Sequence, residues 1–268
     1  MFKSFIEIKD LNVNFDSEDK SIRALENINL TVEKNEFVCV MGTSGCGKTT
    51  LLNVIAGFIK PSKGKILLKG KTIDNPGPDR AVVFQDDAVF PWMTVEQNIS
   101  FSYRVAKKYN EKNKLIVNKF LKLVGLEDFK DYWPKQLSGG MRKRVDLARG
   151  YAANPEVLLM DEPFGALDIM TKENLQEELH KLWVENPKTI VFITHDIDEA
   201  VFLGDKVILM TPRPGKIDLI IEPKLKKNRD MSVKTNNEFI DNVKKIRLCF
   251  YYNPSLGIFY LGLVTKSD

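Results

Sequence analysis

Residues 137–168 read LSGGMRKRVDLARGYAANPEVLLMDEPFGALD, and this stretch decides how the chain folds. It opens with a glycine-rich helix start and closes with a short apolar run, 157–160, followed by two carboxylates, Asp161 and Glu162. A continuous apolar run is typical of a strand buried on both faces of a parallel sheet. Backbone N–H groups at a helix start bind anions. The stretch therefore predicts an α/β fold that binds a nucleoside triphosphate.

A phosphate-binding loop lies upstream, between a second apolar run at 37–41 and an apolar helix at 51–58. Its pattern is Gly-x-x-x-x-Gly-Lys-Thr, in which backbone N–H groups surround a phosphate, lysine supplies a cation and threonine ligates Mg²⁺. An ordinary glycine-rich turn is the alternative, and the flanking strand and helix argue against it. The candidate nucleotide-binding residues are Gly42, Thr43, Ser44, Gly45, Cys46, Gly47, Lys48, Thr49 and Thr50. Because a helix start favours a thiolate, we expect Cys46 to be ionised when no nucleotide is bound.

The two carboxylates after the 157–160 strand are candidates for different tasks. Adjacent side chains at a strand end diverge, so Asp161 would lie near a metal while Glu162 would face an attacking water. A helix cap or a surface pair is the alternative, which the upstream phosphate loop disfavours. His195 follows another apolar run at the sheet edge where ligands collect in α/β folds. His180, within a predicted helix, is expected to be a surface residue.

The composition is that of an ordinary globular protein: 268 residues, 43% hydrophobic, 28% charged, with a formal net charge of +4. Lys and Arg outnumber Asp and Glu in 206–268, and a solvated basic tail is a better interpretation than nucleic-acid or lipid contact. The three cysteines lack a paired spacing, which fits a reduced cytosolic compartment. The alternating N-terminus predicts a strand and not a signal peptide, and no apolar run reaches bilayer length.

Strand and helix patterns organise the chain into one α/β domain with a lobe. Alternating apolar residues at 5–15 and 27–32 predict an antiparallel N-terminal sheet. Apolar runs separated by helical patterns then predict a mainly parallel core sheet, with an inserted helical subdomain at about 86–149. We predict domain boundaries at 1–225 for the main domain and 226–268 for a basic linker, a short helix at 238–248 and an aromatic tail.

Several motifs, taken in order, resemble those of the ATP-binding cassette (ABC) ATPase family. They cover roughly residues 5–222, and LSGG followed by a strand and Asp-Glu is not shared with kinases or GTPases. The motifs are 42–49, Gln85, 137–141, 158–162, 166–168 and His195. The resemblance implies an ABC cassette fold that binds ATP and Mg²⁺ and pairs head to tail, so that each ATP lies between one subunit's phosphate loop and the other's LSGG signature.

The resemblance also implies a role for each motif residue. Glu162 would be the general base or a water-positioning carboxylate, His195 a γ-phosphate switch, and Gln85 a contact to Mg²⁺ and the attacking water. The metal set would be Thr49, Gln85 and Asp161, while Asp168 would cross the dimer interface. Phe15 would stack on adenine, although a core phenylalanine is the alternative. The partner's ATP would be bound by the signature residues Ser138, Gly139, Gly140 and Met141.

Two departures from the common pattern resemble importers for nitrate, sulfonate, taurine and similar small solutes. Met141 replaces the usual glutamine, and the segments 90–95 and 212–215 match that group. This implies a homodimer at the cytoplasmic face of the membrane, bound to permease subunits and served by an extracytoplasmic solute-binding protein, with no nucleic acid partner. Phe90 and Trp92 would receive the permease, although burial in the helical lobe also explains them.

Two other functions remain open at this point. A soluble single-cassette ATPase could remodel a protein or ribonucleoprotein partner, which the basic C-terminus favours. Such proteins often carry two cassettes or a long insertion, and neither is visible here. An exporter cassette is disfavoured by 90–95 and 212–215. The sequence does not identify the solute.

Overall fold

The computed structural model describes residues 4–17, 20–86, 88–165 and 167–252. Ala166 of the 166–168 motif and the aromatic tail from residue 253 onward lie outside these ranges. The strands are β1 Ile6–Ser17, β2 Lys20–Val32, β3 Phe37–Gly42, β4 Lys63–Leu68, β5 Lys71–Thr72, β6 Arg80–Val83, β7 Val157–Asp161, β8 Thr189–Ile193, β9 Lys206–Met210 and β10 Ile217–Ile221. The helices are α1 Lys48–Ala56, α2 Val95–Ile99, α3 Phe101–Val105, α4 Glu111–Leu123, α5 Gly139–Ala152, α6 Ile169–Glu185, α7 Ile197–Leu203 and α8 Asn237–Tyr252.

The smaller sheet is antiparallel and contains the strands in the order β2-β1-β4-β5. Ile6 and Ile8 of β1 are buried, and so are Leu11 and Val13, because alternate side chains of a strand point to the same face and a register shift between Ile8 and Leu11 moves that face by one residue. The predicted N-terminal antiparallel sheet is therefore present. β2 is longer than the predicted strand, since it starts at Lys20 and pairs with β1 along most of its length.

The larger sheet carries the phosphate loop and has the order β10-β9-β3-β8-β7-β6. β3 pairs in parallel with β8 and β9, and β7 pairs in parallel with β6 and β8. Every residue of β3, β7 and β8 is buried, as expected of strands covered by helices on both faces. The predicted α/β class with a mainly parallel core is confirmed. The unpredicted edge strand β10 is antiparallel to β9.

Helices α2 to α5 occupy the chain between β6 and β7, which is the inserted helical subdomain of the predicted fold. Their apolar side chains join one core with the helices α6 to α8 and with one face of the larger sheet. α5 runs from the LSGG turn back to β7, and its residues Val145, Ala148 and Ala152 are buried in that core. The stretch 137–168 therefore links the helical lobe to the central sheet.

The segment expected to be a linker contains structure. Arg229 is buried and its Nε donates a 2.7 Å hydrogen bond to the Phe202 carbonyl, while a 3-10 helix follows at Met231–Thr235. α8 then buries Phe239, Val243 and Ile246 in the core shared with α7. The C-terminal segment, through the end of α8, therefore packs on α6 and α7.

The expectation that His180 is a surface residue is wrong. Its side chain is fully buried beside the rings of Trp183 and Phe202, at centroid distances of 5.9 and 5.4 Å. Its Nε2 lies 2.9 Å from the Lys227 carbonyl, which can only accept, so Nε2 carries the proton. Burial and the positive charge of Arg229 lower the pKa of His180 to about 4. The C-terminal segment produces this burial, and helix periodicity alone did not reveal it.

Within the described ranges, no helix combines the length and apolar character needed to cross a lipid bilayer.

Candidate nucleotide site

A cavity of about 720 Å³ lies at the carboxyl ends of β3 and β7. This is the sheet edge where α/β folds bind ligands. Many of the motif residues meet there, although they are far apart in the sequence. The cavity is lined by Phe15, Ile22, Ala24, Gly42, Ser44, Gly45, Gly47, Lys48, Thr49, Thr50, Gln85, Glu162, His195 and Arg213.

The phosphate loop turns from β3 into α1 through left-handed glycines. Gly47 caps α1 with φ of 104°, a conformation that L side chains rarely adopt, and an added Cβ would lie 2.7 Å from Leu25 Cδ2. No side chain caps the first turn of α1. The N–H groups of this turn are therefore presented to the cavity, where the helix dipole favours an anion.

Lys48 is buried beneath the loop, with 7% of its surface exposed. Its ammonium donates hydrogen bonds of 2.9 Å to the Gly42 carbonyl and 3.0 Å to the Thr43 carbonyl. These are neutral acceptors, so the loop adds no negative charge at this end of the side chain. A buried cation in such a place favours the binding of phosphate oxygens.

Asp161 is buried at the end of β7 and is hydrogen-bonded by the Thr49 hydroxyl. Burial raises the pKa of Asp161 above its ordinary value, while the Thr49 hydrogen bond opposes the shift and the charge of Glu162 adds to it. Among the described residues, no three His, Cys, Asp or Glu side chains form a metal cage. Mg²⁺ is usually held by one or two carboxylates together with substrate phosphates, so the oxygen donors of Thr49 and Asp161 fit this ion.

Glu162 extends toward His195. Its Oε2 lies 3.1 Å from Nδ1 of His195, and its side chain is 20% exposed while that of His195 is 65% exposed. The backbone of Glu162 has φ of 43°, in the left-handed region, and its N–H donates a 3.1 Å hydrogen bond to the Ile193 carbonyl. The two adjacent carboxylates therefore face different surroundings, and only Glu162 borders the cavity.

Gln85 follows β6 and has an exposed side chain on the cavity wall. Its backbone is held from the other side, where the Lys143 ammonium of α5 donates a 2.9 Å hydrogen bond to the Gln85 carbonyl. The side chain is thus free to contact a ligand while its main chain is fixed.

Phe15 also lines the cavity and is 45% exposed, so it is not a core phenylalanine. Ile22, Ala24 and Arg213 also line the cavity, and none was identified as a site residue from the sequence. Arg213 reaches the site because Gly215 is bridged to Leu25, and its Nε donates a 3.3 Å hydrogen bond to the Gly45 carbonyl. The 212–215 segment was recognisable in the sequence, but its position beside the phosphate loop depends on the tertiary fold.

Cys46 does not present an ionised thiol to the cavity, so that expectation is wrong. Its side chain is fully buried behind the loop, where an added Cβ on Gly42 would lie 2.6 Å from its Sγ. Burial raises the pKa of the Cys46 thiol, and the opposing influence of Lys48 is smaller. Neither Cys46 nor Thr43 is among the described residues that line the cavity.

The signature residues lie outside this cavity. Ser138 and Gly139 are exposed, and the Ser138 hydroxyl caps α5 by accepting a 3.2 Å hydrogen bond from the Met141 N–H. Met141 is partly buried against the core of the helical lobe. Gly140 is close to Leu167, whose Cδ2 would lie 3.2 Å from an added Cβ.

Asp168 is exposed and lies outside the cavity as well. Its carboxylate caps α6 by accepting a 3.0 Å hydrogen bond from the Thr171 N–H. This hydrogen bond lowers the pKa of Asp168. The next two side chains, Ile169 and Met170, are 77% and 68% exposed, which is unusual for neighbouring apolar residues at a helix start.

Known proteins resemble the chain in sequence and in structure. A family model described as ABC transporter matches residues 25–165. The bicarbonate transport ATP-binding protein of Synechocystis sp. is 42% identical over 253 residues, covering 93% of this chain and 90% of that protein. The nitrate import ATP-binding protein of Synechococcus elongatus is 49% identical over 194 residues, covering 72% and 71%. A dimeric ATP-binding cassette solved in a post-hydrolysis state with ADP and Pi has a TM-score of 0.71 and 32% identity, covering 81% of this chain and 98% of that one.

Proposed function

The chain belongs to the ABC transporter family, and from this premise we propose that it is the ATP-hydrolysing subunit of a membrane importer for a small solute. The observation that carries the ATPase assignment is the cavity that brings Lys48, Glu162 and His195 together. The relatives named for bicarbonate and nitrate support the importer assignment, and we propose a small solute of the nitrate, sulfonate or taurine type.

We assign the residues of the cavity as follows. The first turn of α1 and the ammonium of Lys48 bind the phosphates, and Phe15 stacks on the base. Glu162 accepts the proton of the attacking water, and its contact to His195 at 3.1 Å orients the carboxylate. Thr49, Asp161 and Gln85 would hold Mg²⁺, which when bound offsets the negative charge of the phosphates.

The cassette works as a homodimer, and we assign the exposed LSGG turn to the partner's nucleotide. Ser138, Gly139 and Gly140 begin the 14-residue helix α5, whose N-terminal N–H groups suit a γ-phosphate. Asp168 and the two exposed apolar residues after it would lie at the subunit contact. Twofold symmetry then gives two identical ATP sites.

The segment before α2 is the proposed contact to the permease. Trp92 is 66% exposed, and its ring lies 5.6 Å from that of Phe90. The segment is rigid because the buried Asn98 accepts a 2.8 Å hydrogen bond from the Phe90 N–H and donates one of 3.0 Å to the Met93 carbonyl. An exposed Trp92 fixed beside a partly buried Phe90 suits an apolar partner helix.

The remaining assignments follow from the importer function. Residues 1–225 would form the ATPase domain, with a helical subdomain at about 86–149, and 226–268 would form a C-terminal extension. The protein would bind the cytoplasmic face of the membrane through its permease. An extracytoplasmic binding protein would deliver the solute, so these partner chains and not the cassette would choose it.

Reconstitution with the permease tests this proposal. The reading frames adjacent to this gene would first be searched for a multi-span permease and a secreted binding protein. Both would be co-expressed with the full chain, and ATP hydrolysis would be measured in proteoliposomes with bicarbonate, nitrate, sulfonates or taurine. We expect one of these solutes to stimulate hydrolysis only when the binding protein is present. An ATPase that no permease binds or stimulates would contradict the importer assignment.

Trp92→Ala sharpens the test of the docking segment. We expect this variant to hydrolyse ATP as the free chain but to lose the permease on affinity purification, because its exposed indole is the contact. Leu115→Ala is the matched control, since it removes a 70% exposed apolar side chain from α4. Equal retention of the permease by both variants would exclude Trp92 from the interface.

A further inference from the structure

Three charged side chains on one face of α5 lie outside the nucleotide cavity, two of them buried and the third mostly so. Lys143, Asp146 and Arg149 follow one another at intervals of three residues, which places them on the same side of a helix. Their side chains are 6%, 1% and 15% exposed. Buried charges are costly unless they are paired, so such a cluster requires partners and a reason for its position.

Asp146 pairs with both cations. Its Oδ1 lies 2.5 Å from Nη2 of Arg149, and its Oδ2 lies 3.9 Å from Nζ of Lys143. Burial raises the pKa of Asp146, and the two cations oppose this shift. The carboxylate thus holds Arg149 by a hydrogen bond and lies beside the Lys143 ammonium, on the face of α5 that meets the segment after β6.

Each cation then holds the main chain of that segment. Lys143 donates hydrogen bonds to the carbonyls of Phe84 and Gln85, the latter at 2.9 Å. Arg149 donates a 2.7 Å hydrogen bond to the Ala88 carbonyl, and its guanidinium lies 4.8 Å from the centre of the Phe90 ring. Both contacts are charge-assisted and sheltered from water, which makes them stronger than neutral surface hydrogen bonds.

We propose that Lys143 is a positioning residue for Gln85, and that Asp146 and Arg149 complete a clamp that fixes this segment to α5. The inference rests on the proposed function, because it concerns the Gln85 side chain on the wall of the ATP cavity. Lys143 holds the Gln85 carbonyl while the side chain stays exposed to the cavity. Since α5 starts at the signature turn, the clamp also ties that turn to Gln85 and to the aromatic Phe90.

A double-mutant cycle tests whether Lys143 acts through Gln85. Steady-state ATP hydrolysis would be measured for the full chain as wild type, Lys143→Met, Gln85→Ala and the double variant. We expect Lys143→Met to lower kcat about 10-fold with KM nearly unchanged, since it would remove an interaction needed only for turnover. In the Gln85→Ala background the same change should have an effect of less than about 2-fold. If the loss of kcat in the double variant equalled the product of the two single losses, the inference would be overturned, because Lys143 would then act independently of Gln85.

Amide hydrogen exchange tests the clamp independently of turnover. In Lys143→Met the amides of Gln85 and Ala88 should exchange about 10-fold faster than in wild type, because the segment would open locally. The control is Lys122→Met, which removes an exposed lysine from α4 and should leave exchange and kcat unchanged. Unchanged exchange in Lys143→Met would overturn the inference even if kcat fell about 10-fold.

Two further comparisons keep the outcomes separate. If Lys143→Met does not fold, Lys143→Gln repeats the cycle with a neutral polar side chain in place of the ammonium. A wild-type chain that binds but never hydrolyses ATP would contradict the proposed function. The exchange measurement would still decide on the clamp in that case.

Discussion

The phosphate loop and the LSGG turn are both glycine-rich helix starts, yet they differ in what surrounds them. At the phosphate loop, a cavity of about 720 Å³ lies at the carboxyl ends of β3 and β7, and Lys48 is buried in its wall. At the LSGG turn, Ser138 and Gly139 are exposed and outside that cavity. One start is therefore a prepared anion site, whereas the other needs a second surface before it can enclose a ligand. We therefore expect the affinity of one subunit for ATP to depend on the phosphate loop and not on the LSGG turn, although both are rich in glycine.

Glu162→Gln gives the largest expected effect, because it removes the proton acceptor while keeping the shape of the cavity. We expect turnover to fall by about 10³-fold. ATP binding should be retained, and ATP-bound dimers should accumulate, since both halves of the site can still form. Hydrolysis and size-exclusion chromatography with MgATP check this result. Undiminished hydrolysis would refute the role of Glu162. The control is Glu238→Gln, which changes an exposed glutamate and should hydrolyse ATP as wild type does.

Ser138→Arg tests the LSGG turn, which is the exposed site of the comparison. A large cation at the exposed turn should prevent dimer closure and lower turnover roughly 100-fold, which is the size of the loss when an oxyanion-hole donor is removed at other sites. ATP affinity of the free subunit should stay within about 3-fold of wild type, because the two helix starts are separate sites. Nucleotide fluorescence titration and ATP-driven dimerisation measure the two effects. Normal dimerisation would contradict the cross-subunit assignment, and Ser232→Arg is the control for an exposed serine.

Lys48→Ala tests the phosphate loop, which is the enclosed site of the comparison. Loss of a charge-assisted hydrogen bond to phosphate should weaken MgATP binding about 30-fold. This is the reverse of the result expected for Ser138→Arg, in which affinity is retained and closure is lost. Titration calorimetry against Lys60→Ala, which removes an exposed lysine beyond α1, measures the difference. Equal affinity in both variants would remove the phosphate-loop interpretation.

A smaller effect is expected from His180, remote from both helix starts. Its pKa is about 4 in the folded chain against 6.5 for the ordinary side chain, so the unfolded chain binds the extra proton between these values. This part of the stability is complete above pH 6.5 and is lost as the pH falls toward 4. From pH 7 to pH 5 the free energy of unfolding should drop by about 2 kcal/mol more in wild type than in His180→Gln. Urea unfolding of both proteins at both pH values measures this difference. An equal drop in the free energy of unfolding in wild type and His180→Gln would show that His180 does not cause it.

The sequence predicted those features that short segments determine by themselves. The phosphate loop follows from one strand, one turn and one helix, and the Asp161–Glu162 pair follows from the end of β7. Features that need distant segments were missed. Arg213 reaches the cavity through the bridge between Leu25 and Gly215, and His180 is buried because residues near Lys227 cover it. The error at Cys46 has the same origin, since a helix start favours a thiolate only where the sulfur is not desolvated.

Glu162 holds its carboxylate on a left-handed backbone, with φ of 43°. An L residue pays about 1 kcal/mol for that conformation, and glycine would not. Position 162 is therefore a site of conflict between stability and activity. A selection for thermal stability alone should enrich glycine at this position, and every clone that carries it should lose ATP turnover.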